Sequence, residues 1–273
     1  MINQTINYHQ AEINYLVTGS GSKVILCLHG YSEDASNFLF LEKYLPVGYL
    51  LISLDLPYHG KSTVANGTIL TAEDFARIVK RILLALFPQE NYMSISLIGF
   101  SLGGRIALSI AEVLPGFFSK IILLAPDGLK VNPWYWFSTQ TVAGNRFFSF
   151  TMRKPYWFFR LLKFFHRLGL VNKSIFKFVD YYVGNTLVRQ QLYERWTGLR
   201  KFKPNLPLLK KQIAENSTQL RLIYGEHDKI IRYSSGNRFC KGIEDFCNLK
   251  IIDAGHQILY EKYAAEIVDA ITN

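Results

Sequence analysis

Ser101 stands midway between two glycines in the sequence Gly99-Phe100-Ser101-Leu102-Gly103. The apolar run before it, residues 95–100, is typical of a buried strand, and the periodic segment after it, residues 102–114, is typical of a helix. A serine on such a sharp strand-to-helix turn has a strained backbone, and glycines two residues to either side avoid steric clash. Its hydroxyl is then exposed at the start of a helix, where the helix dipole favours negative charge. The pattern predicts that Ser101 is a nucleophile; the plainer alternative is a serine that caps the helix.

A serine hydroxyl is a weak nucleophile until a base removes its proton. His256, in the sequence Ala254-Gly255-His256, comes shortly after the apolar run 249–252. We therefore expect it at the carboxyl edge of the sheet, where Ser101 is also expected. His227 competes for the role, but it stands nearer to its preceding strand and beside a better-placed acid. His256 is predicted to be the general base, and the alternative for either histidine is a surface position.

The acid that orients the histidine is predicted to be Asp228, in the loop after the apolar run 220–224. Its role is to hold the imidazole in the correct tautomer and to stabilise the imidazolium. Glu226 and Asp127 are the rivals for this role. Asp127 follows the apolar run 121–125 and could supply an acid from there. We expect it instead to have a structural role, either at the start of a loop or at the hinge of the inserted segment.

Acyl transfer also needs two backbone N–H groups directed at one oxygen, which together form an oxyanion hole. One is predicted to come from Leu102, directly after the nucleophile. The other is predicted to come from Tyr31, in the sequence His29-Gly30-Tyr31 after the apolar run 24–28. Gly30 allows a close turn, and the Tyr31 side chain is expected to line the pocket. His29 is expected to be structural, with hydrogen bonds to nearby backbone.

Short apolar runs supply the frame that has to position these residues. Runs rich in β-branched residues or leucine suit strands that are buried on both faces of a parallel sheet. They cover residues 24–28, 50–56, 95–100, 121–125, 220–224 and 249–252. Two more alternating runs, 5–8 and 13–18, predict an antiparallel hairpin at the sheet edge, and helical periodicity covers 71–87, 102–114 and 260–271. The alternation of strand and helix predicts an α/β, doubly wound sheet.

The net charge of +10 is distributed unevenly along the chain. Residues 128–205 contain 14 Lys and Arg against two acids, which gives +12, while the other 17 basic and 19 acidic residues give −2. All four tryptophans, Trp134, Trp136, Trp157 and Trp196, lie in the same segment. Such a composition shift marks an inserted module. We therefore predict a core made of residues 1–127 and 206–273, and an insertion over 128–205 that is mostly helical and caps the sheet.

The first residues and the cysteines give an expectation for the cellular compartment of the protein. Residues 1–7 are polar and lack the features of a signal peptide, and no window of about 18 uninterrupted apolar residues predicts a membrane-spanning helix. Cys27, Cys240 and Cys247 are too few and too scattered for a disulfide framework or a CxxC metal site. This usage fits a reducing compartment, so we expect a cytoplasmic protein.

Together these residues resemble the α/β-hydrolase superfamily, over most of the chain outside the inserted segment. The order serine, aspartate, histidine along the chain is that of the superfamily. The sequence Asp55-Leu56-Pro57-Tyr58-His59-Gly60-Lys61-Ser62 is similar to its D-x-P-G-H-G-x-S turn. Tyr58 replaces the usual glycine there, and His59 is expected to be structural. The resemblance implies a mostly parallel sheet of eight strands, a cap inserted after the sixth strand, here after Ala125, and no cofactor or metal.

The aromatic and basic residues of the inserted segment are the part of the sequence that indicates a class of substrate. A serine nucleophile argues against the dehalogenases and epoxide hydrolases of the superfamily, which use aspartate. Tyr31, Trp134 and Trp157 are predicted to contact an apolar acyl or aryl group. The cations suit an anionic group of a small-molecule substrate or a weak association with an anionic membrane surface. The plainer interpretation is that the aromatics form a core and the cations a solvated face; nucleic acid is not expected, because no recognition motif accompanies the basic segment.

The prediction from sequence is therefore a serine hydrolase that cleaves a carboxylic ester or thioester through an acyl-enzyme intermediate. Two alternatives stay open. The first is a hydrolase of C–C bonds, or a cofactor-free lyase, that uses the same Ser101, Asp228 and His256. The second is a ligand-binding member of the fold without catalysis, which the intact set of three residues argues against.

Overall fold

The structure is a computed structural model that describes residues 1–89, 92–168 and 180–273. The strands in these ranges are β1 Ile2–Tyr8, β2 Ala11–Gly19, β3 Lys23–Leu28, β4 Tyr49–Leu54, β5 Thr63–Val64, β6 Ser94–Phe100, β7 Lys120–Leu124, β8 Gln219–Gly225 and β9 Cys247–Ile252. The α-helices are α1 Ala72–Leu86, α2 Leu102–Val113, α3 Pro133–Gln140, α4 Val142–Arg153, α5 Tyr156–Arg167, α6 Thr186–Gly198, α7 Leu206–Glu215, α8 Ser234–Cys240 and α9 Ala264–Thr272. Two 3₁₀ helices, Ala35–Lys43 and Glu261–Tyr263, and a π-helical turn, Asp180–Gly184, complete the described elements.

All of these strands belong to one sheet in the order β1-β2-β4-β3-β6-β7-β8-β9, with β5 paired to β2. The pairs β1/β2, β2/β4 and β2/β5 are antiparallel, and the remaining pairs are parallel. The predicted α/β, doubly wound and mostly parallel sheet is therefore confirmed. The described sheet has nine strands and not the expected eight. The additional strand is the two-residue β5, which pairs only with β2 at the side of the main strand order. Two residues are too few to give an apolar pattern.

The strands at the centre of the sheet are buried on both faces. In β3, each residue from Val24 to Leu28 is at most 1% exposed. Since successive side chains of a strand point to opposite faces, both faces must be covered. Helix α2 packs on β3, β6 and β7 and contacts both α1 and α7, and α9 contacts β7 and the 3₁₀ helix Ala35–Lys43. This covered core fixes the strand ends that carry the candidate site.

Helix α1 shows how local sequence sets an element's start. The side-chain oxygen of Thr71 accepts a hydrogen bond from the N–H of Asp74, and Asp74 Oδ2 accepts one from the N–H of Thr71. This reciprocal cap satisfies two of the N–H groups that a helix start leaves without partners. The helix ends at Leu86, two residues before Pro88, so it lies within one residue of the predicted range 71–87 at both ends.

The register of the parallel strands aligns their carboxyl ends. Leu28 of β3 pairs with Gly99 of β6, and Phe100 pairs with Leu124 of β7. Leu124 in turn pairs with Ile223 of β8. The loops after β3, β6, β7, β8 and β9 therefore leave from the same edge of the sheet. This is the edge at which open α/β sheets bind ligands.

The chain divides into two compact units, of which the first comprises Met1–Ala65, Leu70–Lys130 and Lys201–Asn273 and contains the sheet. The second comprises Asn66–Ile69 and Val131–Arg200, and its described secondary structure is helical. Within the second unit, the ring of buried Phe148 lies 5.4 Å from the rings of both Tyr193 and Trp196. The predicted domain boundaries, 1–127 with 206–273 and 128–205, and the placement of the insertion as a cap stay predictions.

A disulfide between Cys240 and Cys247 joins the end of α8 to the start of β9. This disulfide was not predicted from the sequence, because a separation of seven residues does not by itself show that the intervening turn brings the two cysteines together. The Cα atoms of the two cysteines are 5.5 Å apart, within the usual range for a disulfide. Cys27 is free and fully buried in β3. No helix in the described ranges is long and apolar enough to cross a membrane, and the cytoplasmic location stays a prediction.

Candidate active site

Ser101 lies at the turn between β6 and α2 with φ 49° and ψ −112°. A positive φ is uncommon for a non-glycine residue and costs roughly 1–3 kcal/mol. Three backbone hydrogen bonds hold it in place. The N–H of Ser101 donates to the carbonyl of Leu124, and its own carbonyl accepts from the N–H groups of Gly104 and Asp127, each at 2.9 Å. The backbone strain predicted at Ser101 is present, and the end of β7 supports it.

Gly103 allows the first turn of α2 to approach β3 closely. A Cβ atom at this position would overlap the backbone carbonyls of Leu28 and His29. Backbone cannot move aside as the end of a flexible side chain can. The second glycine of the motif is therefore required by the contact between α2 and the loop after β3.

His256 connects Ser101 to Asp228. Its Nε2 atom lies 3.0 Å from Oγ of Ser101, and its Nδ1 atom lies 2.8 Å from Oδ2 of Asp228. The carboxylate can only accept, so Nδ1 carries the proton and Nε2 is left to accept from the serine hydroxyl. The histidine side chain is 18% exposed and the aspartate side chain is 0% exposed. The structure thus brings together the three residues that the sequence analysis selected.

The loops that carry Asp228 and His256 are bonded to each other. The N–H of Glu226 donates to the carbonyl of Ile252, and the N–H of His227 donates to the carbonyl of Ala254. A Cβ atom on Gly225 would overlap the carbonyls of Ala254 and Gly255, so only glycine permits this approach. The second carboxylate oxygen of Asp228 also accepts from two N–H groups in its own loop, those of Ile230 at 2.7 Å and Ile231 at 2.9 Å.

The loop after β3 is oriented by His29. Its Nε2 atom accepts from the N–H of Leu56 at 2.9 Å, so Nδ1 carries the proton and donates to the carbonyl of Gly30 at 2.7 Å. His29 thus has the backbone hydrogen bonds that were predicted for it. The C=O and N–H of a trans peptide point in opposite directions, so the N–H of Tyr31 points away from His29. The N–H of Leu102 belongs to the first turn of α2 and has no partner within the helix.

The rival residues have other contacts. His227 is exposed and lies 3.1 Å from Asp253, and Glu226 is exposed. Oδ2 of Asp127 lies 3.5 Å from Nε of the buried Arg105, and its Oδ1 accepts from the N–H of Gly128. Asp228 is the carboxylate that contacts His256. Asp127 instead anchors the loop after β7, which agrees with the role at the start of a loop that was expected of it.

The turn that contains Asp55 supports the same edge of the sheet. Asp55 is buried and accepts from the N–H groups of Ala35 and Lys61 at 2.6 and 2.7 Å. His59 is also buried, and its Nδ1 lies 2.9 Å from the carbonyl of Pro57, which fits the structural role expected of it. Tyr58, which stands where the family has glycine, adopts φ 66°. The turn therefore keeps the backbone conformation that glycine favours although a tyrosine occupies it.

Glu33 and Gln257 were missed by the sequence analysis. Oε2 of Glu33 accepts from the N–H of Gly30 at 2.9 Å, and its Oε1 accepts from the side-chain amide of Gln257. Gln257 directly follows His256, and Glu33 lies two residues after Tyr31. The available signal was therefore a pair of polar side chains, each within two residues of a predicted site residue, on two loops that were expected at the same edge of the sheet.

The predicted substrate contacts are distributed over both units. Tyr31 belongs to the first unit, and its ring lies 5.7 Å from that of His59. Trp134 on α3 and Trp157 on α5 belong to the second unit. Their contact with substrate stays a prediction. In the described part of the chain, no cluster of three His, Cys, Asp or Glu residues offers a metal site.

The comparison with known proteins agrees with this fold. A family model described as alpha/beta hydrolase fold matches residues 23–263, and the chain therefore belongs to the α/β-hydrolase family. The chain is 26% identical over 244 residues to the uncharacterized hydrolase YugF of Bacillus subtilis (strain 168), covering 89% of this chain and 86% of that protein. It is 22% identical over 261 residues to the monoacylglycerol lipase ABHD6 of Homo sapiens, covering 91% and 75%.

A solved structure gives the same result for the fold. MGS-M2, an α/β hydrolase enzyme from a Medee basin deep-sea metagenome library, matches with a TM-score of 0.69 at 15% identity. The match covers 99% of this chain and 98% of that one. The family and its hydrolase-named relatives support an enzyme of the hydrolase class.

Proposed function

We propose that the protein is a serine hydrolase that cleaves a carboxylic ester or thioester through an acyl-enzyme intermediate. The observation that carries the proposal is the unbroken series of hydrogen-bond distances from Ser101 through His256 to Asp228, 3.0 and 2.8 Å. A nucleophile, a base and a group that orients the base are the parts that covalent catalysis by serine needs.

In the first step, Oγ of Ser101 attacks the carbonyl carbon of the substrate while its proton passes to Nε2 of His256. The negative charge that develops on the carbonyl oxygen is stabilised by the N–H groups of Tyr31 and Leu102. Asp228 does not take the proton; it stabilises the imidazolium through the hydrogen bond to Nδ1. The bonds that Asp228 accepts from the backbone of Ile230 and Ile231 keep it oriented throughout.

In the second step, the imidazolium of His256 donates its proton to the leaving alcohol or thiol, and the bond to the carbonyl carbon breaks. The acyl group is now an ester of Ser101. Water then attacks the same carbon, gives a proton to His256, and the serine oxygen leaves with that proton. The balance is one ester or thioester and one water converted into one carboxylic acid and one alcohol or thiol.

The substrate that we propose has an apolar acyl or aryl part. Tyr31 lies in the loop expected to bind the oxyanion, and Trp134 and Trp157 are the proposed contacts from the second unit. The relative named a monoacylglycerol lipase is consistent with a carboxylic ester that carries an acyl chain. No cofactor or metal enters the proposed chemistry, because each proton transfer is assigned to a side chain of this protein.

A fluorophosphonate probe, followed by a screen of p-nitrophenyl esters and acyl-CoA thioesters of varied chain length, tests the proposal. We expect the wild-type protein to be labelled at Ser101, the Ser101→Ala variant to stay unlabelled, and at least one ester or thioester to be turned over. Absence of labelling in a folded wild-type protein would contradict an activated serine. Labelling without turnover of any ester or thioester would overturn the proposed reaction and favour a C–C hydrolase or a lyase.

A further inference from the structure

The exposed apolar side chains of the described residues are concentrated in one stretch. Twelve of the 24 large hydrophobic side chains that are exposed lie between Val131 and Leu168, although this stretch is only about a seventh of the chain. It holds all the exposed tryptophans and phenylalanines of the described residues, namely Trp134, Trp136, Phe137, Phe147, Phe150, Phe164 and Phe165. Scattered exposed apolar residues are ordinary, whereas a contiguous apolar patch marks an interaction surface.

Helix α5 shows the pattern most clearly. Leu161, Phe164, Phe165 and Leu168, at the end of α5 and just after it, are spaced by three and four residues, so they share one face, and all four are exposed. The buried residue of this helix is Leu162, which points in another direction. In a helix packed on its own core, the apolar face is the covered one. The four side chains are named here the apolar face of α5.

A stripe of cations lies beside this face. Arg160, Lys163 and Arg167 are spaced by three and four residues on the adjoining side of the helix, and all are exposed. From Lys130 to Leu168 the chain contains seven lysines and arginines and no acid. The interpretation of the aromatics as a core holds for buried Phe148, which packs against half-buried Trp196. It does not hold for the apolar face of α5.

We propose that α5 docks the protein on an anionic membrane surface. The apolar face of α5 inserts at the boundary between headgroups and acyl chains, and Arg160, Lys163 and Arg167 contact anionic headgroups. This combination of an apolar face and a cationic stripe is typical of helices that lie in the membrane interface, where long basic side chains extend to the headgroups. Nucleic acid would satisfy the cations but leave Leu161 and Leu168 in water. The inference is independent of the proposed catalytic function.

Co-sedimentation of the Ser101→Ala variant with vesicles tests the docking, because this variant should not consume lipid during the assay. We expect binding to vesicles of phosphatidylcholine and phosphatidylserine at about 3:1, and much weaker binding to phosphatidylcholine alone. Raising salt from about 0.1 M to about 1 M should weaken binding, since the Debye length falls from about 10 Å to about 3 Å. The further change Arg160→Glu, Lys163→Glu, Arg167→Glu should weaken it by about 100-fold, because each basic residue near such a surface contributes roughly five-fold.

Two further variants distinguish binding through α5 from a general attraction caused by the net charge of the protein. Lys80→Glu, Lys211→Glu, Lys241→Glu changes exposed cations of the first unit and lowers the net charge from +10 by the same six, but it should bind as the parent does. Phe164→Ser, Phe165→Ser keeps every charge but should bind at least about 10-fold more weakly. The proposal is overturned if the two charge variants lose binding equally, or if the serine variant binds normally. Circular dichroism and thermal melting confirm that each variant is folded.

A second and separate observation concerns Glu33. Its carboxylate accepts from the N–H of Gly30 on the loop after β3 and from the side chain of Gln257 on the loop after β9. Gly30 precedes Tyr31, and Gln257 follows His256. One side chain therefore links the loop proposed to bind the oxyanion with the loop that carries the proposed base.

Both polar groups of Gly30 are fixed by this arrangement. Glu33 accepts from its N–H, and His29 donates to its carbonyl. The ring of Phe100, the residue before Ser101, lies 5.4 Å from the ring of His256. A Cβ atom on Gly30 would lie 2.8 Å from that phenylalanine ring, so the two loops meet around Phe100. The orientation of the peptide that carries the Tyr31 N–H depends on these contacts.

We infer that Glu33 is a positioning residue, which holds the Tyr31 N–H and the His256 imidazole in register through its two hydrogen bonds. This inference rests on the proposed function. Misplacing a catalytic group by about 1 Å can lower the rate by about 100-fold. Glu33→Ala removes both hydrogen bonds and should lower kcat by about 10- to 100-fold while KM changes little. Glu33→Gln should recover most of kcat, since its amide can accept from Gly30 and donate to Gln257 once the Gln257 amide is flipped.

A double-mutant cycle completes the test. Gln257→Ala should lower kcat, and Glu33→Ala, Gln257→Ala together should be no worse than Glu33→Ala alone, because both changes remove the same link. The inference is overturned if Glu33→Ala keeps wild-type kcat, if Glu33→Gln is as impaired as Glu33→Ala, or if the two single effects add. Fluorophosphonate labelling of the wild-type protein is the reference: its failure would reject the proposed function, whereas equal labelling of wild type and Glu33→Ala would reject this inference alone.

Discussion

The carboxylate of Asp228 lies 2.8 Å from Nδ1 of His256 and is fully shielded from solvent. Its other oxygen accepts from two backbone N–H groups, so the carboxylate cannot rotate without losing them. The tautomer of His256 is therefore set from the side away from Ser101. This relationship makes the proposed acid the most direct test of the site.

Asp228→Asn should lower kcat by roughly 10⁴-fold, because an amide that donates to Nδ1 leaves the proton on Nε2, which then cannot accept from Ser101. Asp127→Asn is the matched control. Asp127 pairs with Arg105 and is expected to change kcat by less than about 10-fold. Steady-state kinetics on the ester identified by the screen measures both, and the opposite ranking would place the acid after β7.

Ser101→Ala should lower kcat by about 10⁴-fold or more and leave the secondary structure unchanged. Alanine occupies the same backbone conformation without a nucleophilic oxygen. Kinetics and circular dichroism on the same preparation give the result. A folded variant that kept more than about a tenth of the wild-type kcat would show that the nucleophile is another residue.

Gly103→Ala should destabilise the protein by more than about 2 kcal/mol, because its Cβ atom would overlap two backbone carbonyls at the end of β3. Gly255→Ala is the control, since nothing lies within 4 Å of a Cβ atom at that position. Urea unfolding compares the free energies of unfolding. Equal stability of the two variants would show that the approach of α2 to β3 does not require glycine.

Burial raises the pKa of the Glu33 carboxyl, while its hydrogen bonds to Gln257 and Gly30 act in the opposite direction. An acid whose pKa is higher in the folded protein stabilises the fold below its unfolded value, and this contribution is lost as pH rises through the folded pKa. Glu33→Gln removes the titration. The free energy of unfolding of the variant, relative to wild type, should therefore increase as pH rises above about 4.3, the value of an unperturbed glutamate.

Urea unfolding of both proteins at several pH values measures this difference. The prediction concerns its slope, because the variant also changes hydrogen bonds at every pH. A flat or falling difference would contradict a raised pKa for Glu33.

The Cys240–Cys247 disulfide closes a short loop, and a loop of this length predicts a stabilisation of about 2 kcal/mol. A thiol reductant should therefore lower the free energy of unfolding by about this amount. The variant Cys240→Ser, Cys247→Ser should show no response to the reductant. Identical urea curves for wild type with and without reductant would mean that the disulfide contributes nothing.

Much of the fold could be predicted, because buried parallel strands leave a continuous apolar signal. The run 24–28 became β3 with one added residue, Lys23. The run 50–56 was too long, since β4 ends at Leu54 and the N–H of buried Leu56 donates to the His29 ring instead. The hydropathy of the sequence predicts that Leu56 is buried, but it cannot predict whether its N–H bonds to a neighbouring strand or to a side chain.

The site was predictable to the extent that its chemistry depends on residue type and on position after a strand. Ser101, Asp228 and His256 satisfy both conditions, and the structure places them in contact. Glu33 and Gln257 lie apart by more than 220 residues, and their contact depends on how two loops fold over Phe100. No local pattern of residues encodes such a pairing.

The positive φ of Ser101 opposes the stability of the chain that carries it. Glycine at this position would relieve the strain, at the loss of the nucleophile. Selection for stability alone would therefore replace this serine, and selection for turnover alone retains it. A lineage released from the need for catalysis would drift towards glycine at residue 101, and its descendants would be harder to unfold and unable to form an acyl-enzyme.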